Sequence, residues 1–156
     1  ATLEQVAVFK AGHPALKLDP LALHQGSQTS EQVIQWCEDN HHQGPMMVYA
    51  TDHPEAVRRC QEKLGIERAG TLLEQTFAEI ARTAATLGVT HFIVAGGETS
   101  GAVVQALGVK AIRIGPPIAP GVPVTQTLGE KPLLLALKSG NFGDRDFFSK
   151  GLTMMR

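Results

Sequence analysis

The sequence lacks the features that mark a membrane, secreted or nucleic-acid-binding protein. No segment approaches the roughly 18 consecutive apolar residues that a membrane helix needs. Fourteen basic and fifteen acidic residues give a formal charge of −1, so no broad positive surface for nucleic acid or anionic lipid is expected. Two cysteines are too few for a disulfide framework. These absences predict a cytoplasmic protein with reduced thiols that binds neither nucleic acid nor membranes.

Motifs for catalysis and for metal binding are also scarce. The six histidines show no regular spacing from an acid or a nucleophile, and there is no HExxH pair and no nucleophile elbow. No G-x-G-x-x-G fingerprint is present, and Ala102 stands where a Walker A loop would need its lysine. The sequence therefore predicts no metal site made by the protein alone and identifies no catalytic residue.

What is present is the pattern of one globular α/β domain over residues 1–156. Apolar residues make up 43% and charged residues 19% of the chain, as in folded soluble domains. Short apolar runs alternate with amphipathic helices, which predicts a three-layer fold with a mostly parallel sheet and helices on both faces. Strands are predicted near residues 15–18, 46–50, 91–95, 111–114, 124–128 and 133–137, with the proline-rich segment 115–123 as a connection or as the wall of a pocket.

Local signals also predict how several helices begin. Thr2 and Gln5 have the spacing of a capping box, in which the two side chains satisfy N–H groups at the helix start. Ser30 is a candidate N-cap for a helix over residues 31–40. Asp52 is the candidate cap of a helix that runs to Gly65, and a long helix is predicted over residues 69–87.

The strongest chemical signal is the unit VAGGETSGAVVQAL, where a predicted strand runs into Gly96 and Gly97 and then into a helix that Thr99 or Ser100 starts. Glycines let the main chain approach a ligand closely, and the N–H groups of a helix N-terminus favour negative charge. Phosphate is the natural occupant. A plain tight turn with a helix cap fits the same residues equally well.

A second glycine-bracketed turn, SGNFG, follows the last predicted strand. Because the carboxyl ends of parallel strands meet at one edge of a sheet, both turns are expected to border one crevice for a phosphate or nucleotide. Lys138 could add a point charge there or simply be solvated. Asp144 and Asp146 could reach Mg²⁺ through water or cap the last helix.

These motifs, taken in order, resemble a known family. The runs HPALKLDPLAL, VYATDHPEAV, AGGETSGAVVQALGVKAIRIGPPIAPGVP and KPLLLALKSGNFGDRDFF are similar to the C-terminal nucleotide-binding domain of the four-carbon acid sugar kinases. This family includes threonate, erythronate and 3-oxo-tetronate kinases. The resemblance implies that the chain is one half of a two-domain enzyme that transfers phosphate from ATP-Mg²⁺ to a terminal hydroxyl of a four-carbon sugar acid.

The resemblance also implies which residues hold the nucleotide and what accompanies them. The nucleotide-binding residues would be Gly96, Gly97, Glu98, Thr99, Ser100, Gly140 and Asn141. The sugar acid and the base would belong to an N-terminal domain, absent here, and a further strand with a small turn would precede residue 1. This half alone is expected to be inactive. Two alternatives remain open at this point: a stand-alone module that senses a phosphosugar or another anion, and a structural piece without a working site.

Overall fold

A computed structural model describes residues 1–156 and confirms the α/β class. Helices and strands are interspersed along the chain, although the last three strands follow one another without a helix between them, and one 3-10 turn, His41–Gln43, follows the third helix. No helix is long and apolar enough to cross a membrane. The helices are α1 (Thr2–Lys10), α2 (Pro20–Gln25), α3 (Ser30–Asn40), α4 (Pro54–Leu64), α5 (Ile66–Thr86), α6 (Gly97–Ala106) and α7 (Phe147–Met154), and the strands are β1 (Ala15–Lys17), β2 (Met47–Tyr49), β3 (His91–Ala95), β4 (Ile112–Ala119), β5 (Val122–Thr127) and β6 (Leu134–Lys138).

The strands form two sheets instead of the single, mostly parallel sheet that the alternating pattern predicts. β1 and β2 make a parallel pair. The second sheet has four strands in the order β3-β6-β5-β4. In it only β3 and β6 are parallel, while β5 runs antiparallel to both β6 and β4. The sheet that carries both glycine turns is therefore mixed, and the three-layer arrangement stays a prediction.

The proline-rich segment 115–123 corrects the sequence interpretation, because it forms strands of the sheet and is not a crossing connection. It completes β4, turns at Gly121 (φ +81°) and begins β5. β4 lies at one edge of the four-stranded sheet, and β5 lies inside it. Proline is tolerated on an edge strand or beside a bulge, and the register shifts on both sides of the Pro117–Pro123 pair. The prolines that predict a loop in the sequence therefore lie on an edge strand or beside a register shift, where a sheet tolerates them.

Helix boundaries match the predictions within a few residues, except where the caps were assigned wrongly. Thr29, not Ser30, caps α3 and forms a true capping box with Gln32. His53, not Asp52, is the N-cap of α4, and it makes no side-chain cap bond. The Asp52 carboxylate accepts from Lys17 Nζ at 2.5 Å and from His53 N at 2.8 Å. Helix α2 was not predicted, although Asp19 caps it with Pro20 in its first turn.

Two hydrophobic cores hold the domain together. The larger core packs α1 and α7 against β4, β5 and β6, with Phe9, Phe147 and Phe148 at its centre. The smaller core joins Leu18, Val33, Cys37 and Ile80, and Trp36 packs against it. The larger core supports the carboxyl end of β6, where the second glycine turn begins.

Between the two sheets lies an apolar cavity of about 500 Å³. Residues 46–51, around β2, line one side and residues 91–95, in β3, line the other, with α5 side chains between them. β2 pairs only with β1, and β3 pairs only with β6. Each of these two strands therefore turns an unpaired edge toward the cavity.

Candidate functional site

Two loops leave adjacent parallel strands at the same edge of the four-stranded sheet. Ala95, at the end of β3, is in register with Lys138, at the end of β6. Gly96 N donates to the carbonyl oxygen of Lys138 at 2.7 Å, which extends the pairing into the turn. A Cβ placed on Gly97 would lie 3.9 Å from Ser139 Oγ. The structure thus brings the two glycine turns together, as the parallel-strand argument predicts.

The first turn ends in a helix that starts earlier than predicted. α6 begins at Gly97, so Thr99 and Ser100 already lie inside its first turns. Gly96, the N-cap, has φ +110°, a conformation that favours glycine. No side chain caps this helix. Its first intrahelical bond comes from Ser100 N, which leaves the three preceding N–H groups free for a ligand.

The five predicted residues of this turn do not all face outward. Gly97 and Glu98 are exposed, whereas Thr99 lines the apolar cavity described above. Ser100 is buried, and its hydroxyl oxygen has no hydrogen-bond partner. The N–H group of Ser100 is also used within the helix. Gly97, Glu98 and Thr99 are therefore the residues whose main chain can present donors at this turn.

The second turn, residues 139–144, is exposed at Gly140 and Asn141. Gly140 and Gly143 have φ values of +58° and +88°, so the main chain needs glycine at both positions. The Asn141 side chain makes no hydrogen bond within the chain and is free to donate to a ligand. Asp146 is the N-cap of α7 but makes no side-chain cap bond, so the capping interpretation fails for it.

Lys138 is the largest difference between expectation and structure at this site. It is 1% exposed, not solvated. Its Nζ donates to Gly140 O at 2.7 Å and to Thr2 Oγ1 at 3.2 Å, and no carboxylate pairs with it. Burial lowers the pKa of Lys138. The lysine therefore lies beneath the second turn. No alternation along β6 could have signalled this, since Leu135 and Ala136, on opposite faces of the strand, are both fully buried.

The two turns offer no evident acid–base chemistry. No group of three or more His, Cys, Asp or Glu side chains is placed to hold a metal ion. Cys37 lies away from the two turns, in the smaller core, where burial raises the pKa of its thiol to about 11 and so suppresses the reactive thiolate. What the two turns present is main-chain donors at adjacent strand ends.

Comparison with known proteins defines the class to which this geometry belongs. Residues 1–148 match the family described as the nucleotide-binding C-terminal domain, and the chain belongs to that family. It is 52% identical over 156 residues to a 3-oxo-tetronate kinase of Cupriavidus necator, covering 99% of this chain and 36% of that protein. It is 53% identical over 153 residues to a 3-oxo-tetronate kinase of Pseudomonas fluorescens, covering 97% of this chain and 35% of that protein.

A solved structure shows the same fold. The crystal structure of Haemophilus influenzae protein HI1011 superimposes with a TM-score of 0.93 at 41% sequence identity. The match covers 99% of this chain and 38% of that one. The chain therefore spans little more than a third of the length of the proteins that it resembles.

Proposed function

We propose that this chain is the ATP-binding domain of a cytoplasmic kinase that phosphorylates a terminal hydroxyl of a four-carbon sugar acid. The observation that carries the proposal is the pair of glycine turns at the neighbouring carboxyl ends of β3 and β6. Relatives that are about half identical and are named 3-oxo-tetronate kinases support the choice of reaction. Of the seven predicted residues, Gly97, Glu98, Thr99, Gly140 and Asn141 are proposed to contact the nucleotide. Gly96 and Ser100 are proposed to shape the turn instead, since their N–H groups donate to Lys138 O and Gly96 O within the chain.

The donor set fits a triphosphate. Phosphoryl transfer depends mostly on positioning and on neutralising charge, so a binding domain without a base can still serve it. The first turn of α6 presents free N–H groups and the positive end of the helix dipole. Mg²⁺ would arrive with the ATP phosphates, since it is usually held by one or two carboxylates and the substrate itself. Asp144 and Asp146 are exposed carboxylates beside the second turn.

The sugar acid and the base that accepts its hydroxyl proton would belong to the remaining length of such a kinase. The isolated 156-residue chain is therefore expected to bind ATP without transferring phosphate. Isothermal titration with ATP, ADP and a set of sugar phosphates tests the binding half of this proposal. Saturable binding of ATP and ADP but not of the sugar phosphates is the expected result. Binding of the sugar phosphates but not of ATP and ADP would indicate a phosphosugar sensor. No binding of any of these ligands would indicate a structural role.

Asn141→Ala is expected to weaken ATP binding by a few-fold only. The side chain is exposed and unpaired within the chain, so its removal deletes at most one neutral hydrogen bond, worth about 0.5–1.5 kcal/mol. Titration of the variant with ATP measures the change, and unfolding in urea should show parent-like stability. An unchanged dissociation constant would remove Asn141 from the set of nucleotide-binding residues.

A further inference from the structure

The Gln5 side chain, on α1, forms hydrogen bonds with the main chain of the second turn. It is 1% exposed. Its Nε2 lies within hydrogen-bond distance of three consecutive carbonyl oxygens, those of residues 142–144, at 3.1, 3.0 and 2.9 Å, which share its two N–H groups. Its Oε1 is buried and accepts no hydrogen bond. The expected capping box is wrong, because α1 has no side-chain cap and Gln5 is used 137 residues away along the chain instead.

Lys138 acts on the same turn from the end of β6. Its Nζ donates to the carbonyl oxygen of Gly140 and to the hydroxyl of Thr2. Thr2 and Gln5 lie three residues apart, on one face of α1. The two buried side chains therefore draw four carbonyl oxygens of the turn, those of residues 140 and 142–144, to the side where α1 lies.

The direction of these carbonyls sets the direction of the N–H groups. Every peptide bond is trans, and in a planar trans peptide the N–H group points opposite to the C=O group. The N–H groups of residues 141, 143, 144 and 145 therefore point away from α1, and none of them donates within the chain. Ser139, where the turn begins, borders Gly97. A run of free main-chain donors beside the first turn suits an anion.

We propose that Gln5 and Lys138 are positioning residues of the nucleotide site, which hold the second turn so that its N–H groups face the phosphates. The inference rests on the proposed function. Both side chains are buried beneath the turn, so neither touches the nucleotide. They act by fixing the peptide planes of residues 140–145. Losing these bonds lets the planes rotate and costs the site its preorganised donors.

Amide hydrogen exchange tests the proposal on the complete polypeptide that carries this domain, without any substitution. Saturating ATP should slow the exchange of the amides at 141, 143, 144 and 145, which have no partner within the chain. ATP-independent exchange at all four positions, in a protein that titration shows to bind ATP, would refute the inference and leave the proposed function standing. A protein that binds no ATP would overturn both.

Gln5→Leu supplies the matching substitution, because leucine fills a similar volume but cannot donate. Its ATP dissociation constant should rise about tenfold, and the ATP-dependent protection of the four amides should be lost. Val6→Ala is the control: Val6 is the next residue of α1, is 5% exposed and lies in the larger core without bonding the turn. It should lower the melting temperature but leave the ATP affinity within about twofold. Equal affinities in the two variants would mean that Gln5 only stabilises the fold.

Discussion

Gly97→Val is expected to weaken ATP binding by about a hundredfold, equal to roughly 2.7 kcal/mol, with little change in the free energy of unfolding. Gly97 is the first residue of α6, and a Cβ there would be in ordinary contact with Ser139 Oγ at 3.9 Å. The fold itself therefore accepts a side chain. Valine is no worse a helix residue than glycine. The valine side chain would instead fill the space in which a phosphate is proposed to approach the main chain.

Gly101→Val provides a matched control for this result. It introduces the same side chain into the same helix, one turn further on, where a Cβ meets nothing within 4 Å. Calorimetric titration with ATP should give parent-like affinity for Gly101→Val and the large loss for Gly97→Val. Parent-like affinity in both variants would contradict the proposal that a phosphate binds at the first turn.

Gly143→Ala is expected to cost the domain about 3 kcal/mol or more of unfolding free energy. A Cβ at this position would lie 2.5 Å from Cδ2 of Phe147 and 3.0 Å from its Cγ. Phe147 is 1% exposed and belongs to the larger core, so it cannot yield. Overpacking of this kind costs about 1–3 kcal/mol. The main chain adds a penalty of about 1–2 kcal/mol, since its φ of +88° disfavours any side chain.

Gly140→Ala separates the two contributions. Gly140 also has a positive φ, of +58°, but a Cβ there meets nothing within 4 Å. Urea unfolding should show only the main-chain penalty for Gly140→Ala and a clearly larger loss for Gly143→Ala. Equal losses would mean that Phe147 moves aside without cost and that the turn is less firmly packed than the contacts indicate.

The positions of the two turns could be predicted because they depend on short-range patterns. The apolar run at residues 91–95 is a strand over the predicted range, and glycines follow both parallel strands. The rule that parallel strands present their carboxyl ends at one edge then placed Gly97 beside Ser139 without further information.

Interactions between distant parts of the chain could not be predicted in the same way. Thr2 and Gln5 have the spacing of a capping box, yet their partners are Lys138 and the carbonyls of residues 142–144. The neighbouring sequence does not distinguish a Thr2–Gln5 pair that caps a helix from one that bonds a distant turn. The hairpin over 115–123 was missed for a related reason. Prolines argue against a strand, and only the pairing shows that β4 is an edge and that Pro123 lies beside a register shift near the start of β5.

The unpaired edges of β2 and β3 have a consequence for how the isolated chain behaves in solution. Each edge carries main-chain donors and acceptors without partners in a sheet, and an apolar cavity of about 500 Å³ lies between them. Open edges of this kind are templates on which another extended segment can add. The side chains that surround the cavity are apolar, so water is a poor hydrogen-bond partner for the unpaired main-chain groups of the two edges. The isolated domain is therefore expected to self-associate increasingly as its concentration rises, and sedimentation velocity at several concentrations would measure this.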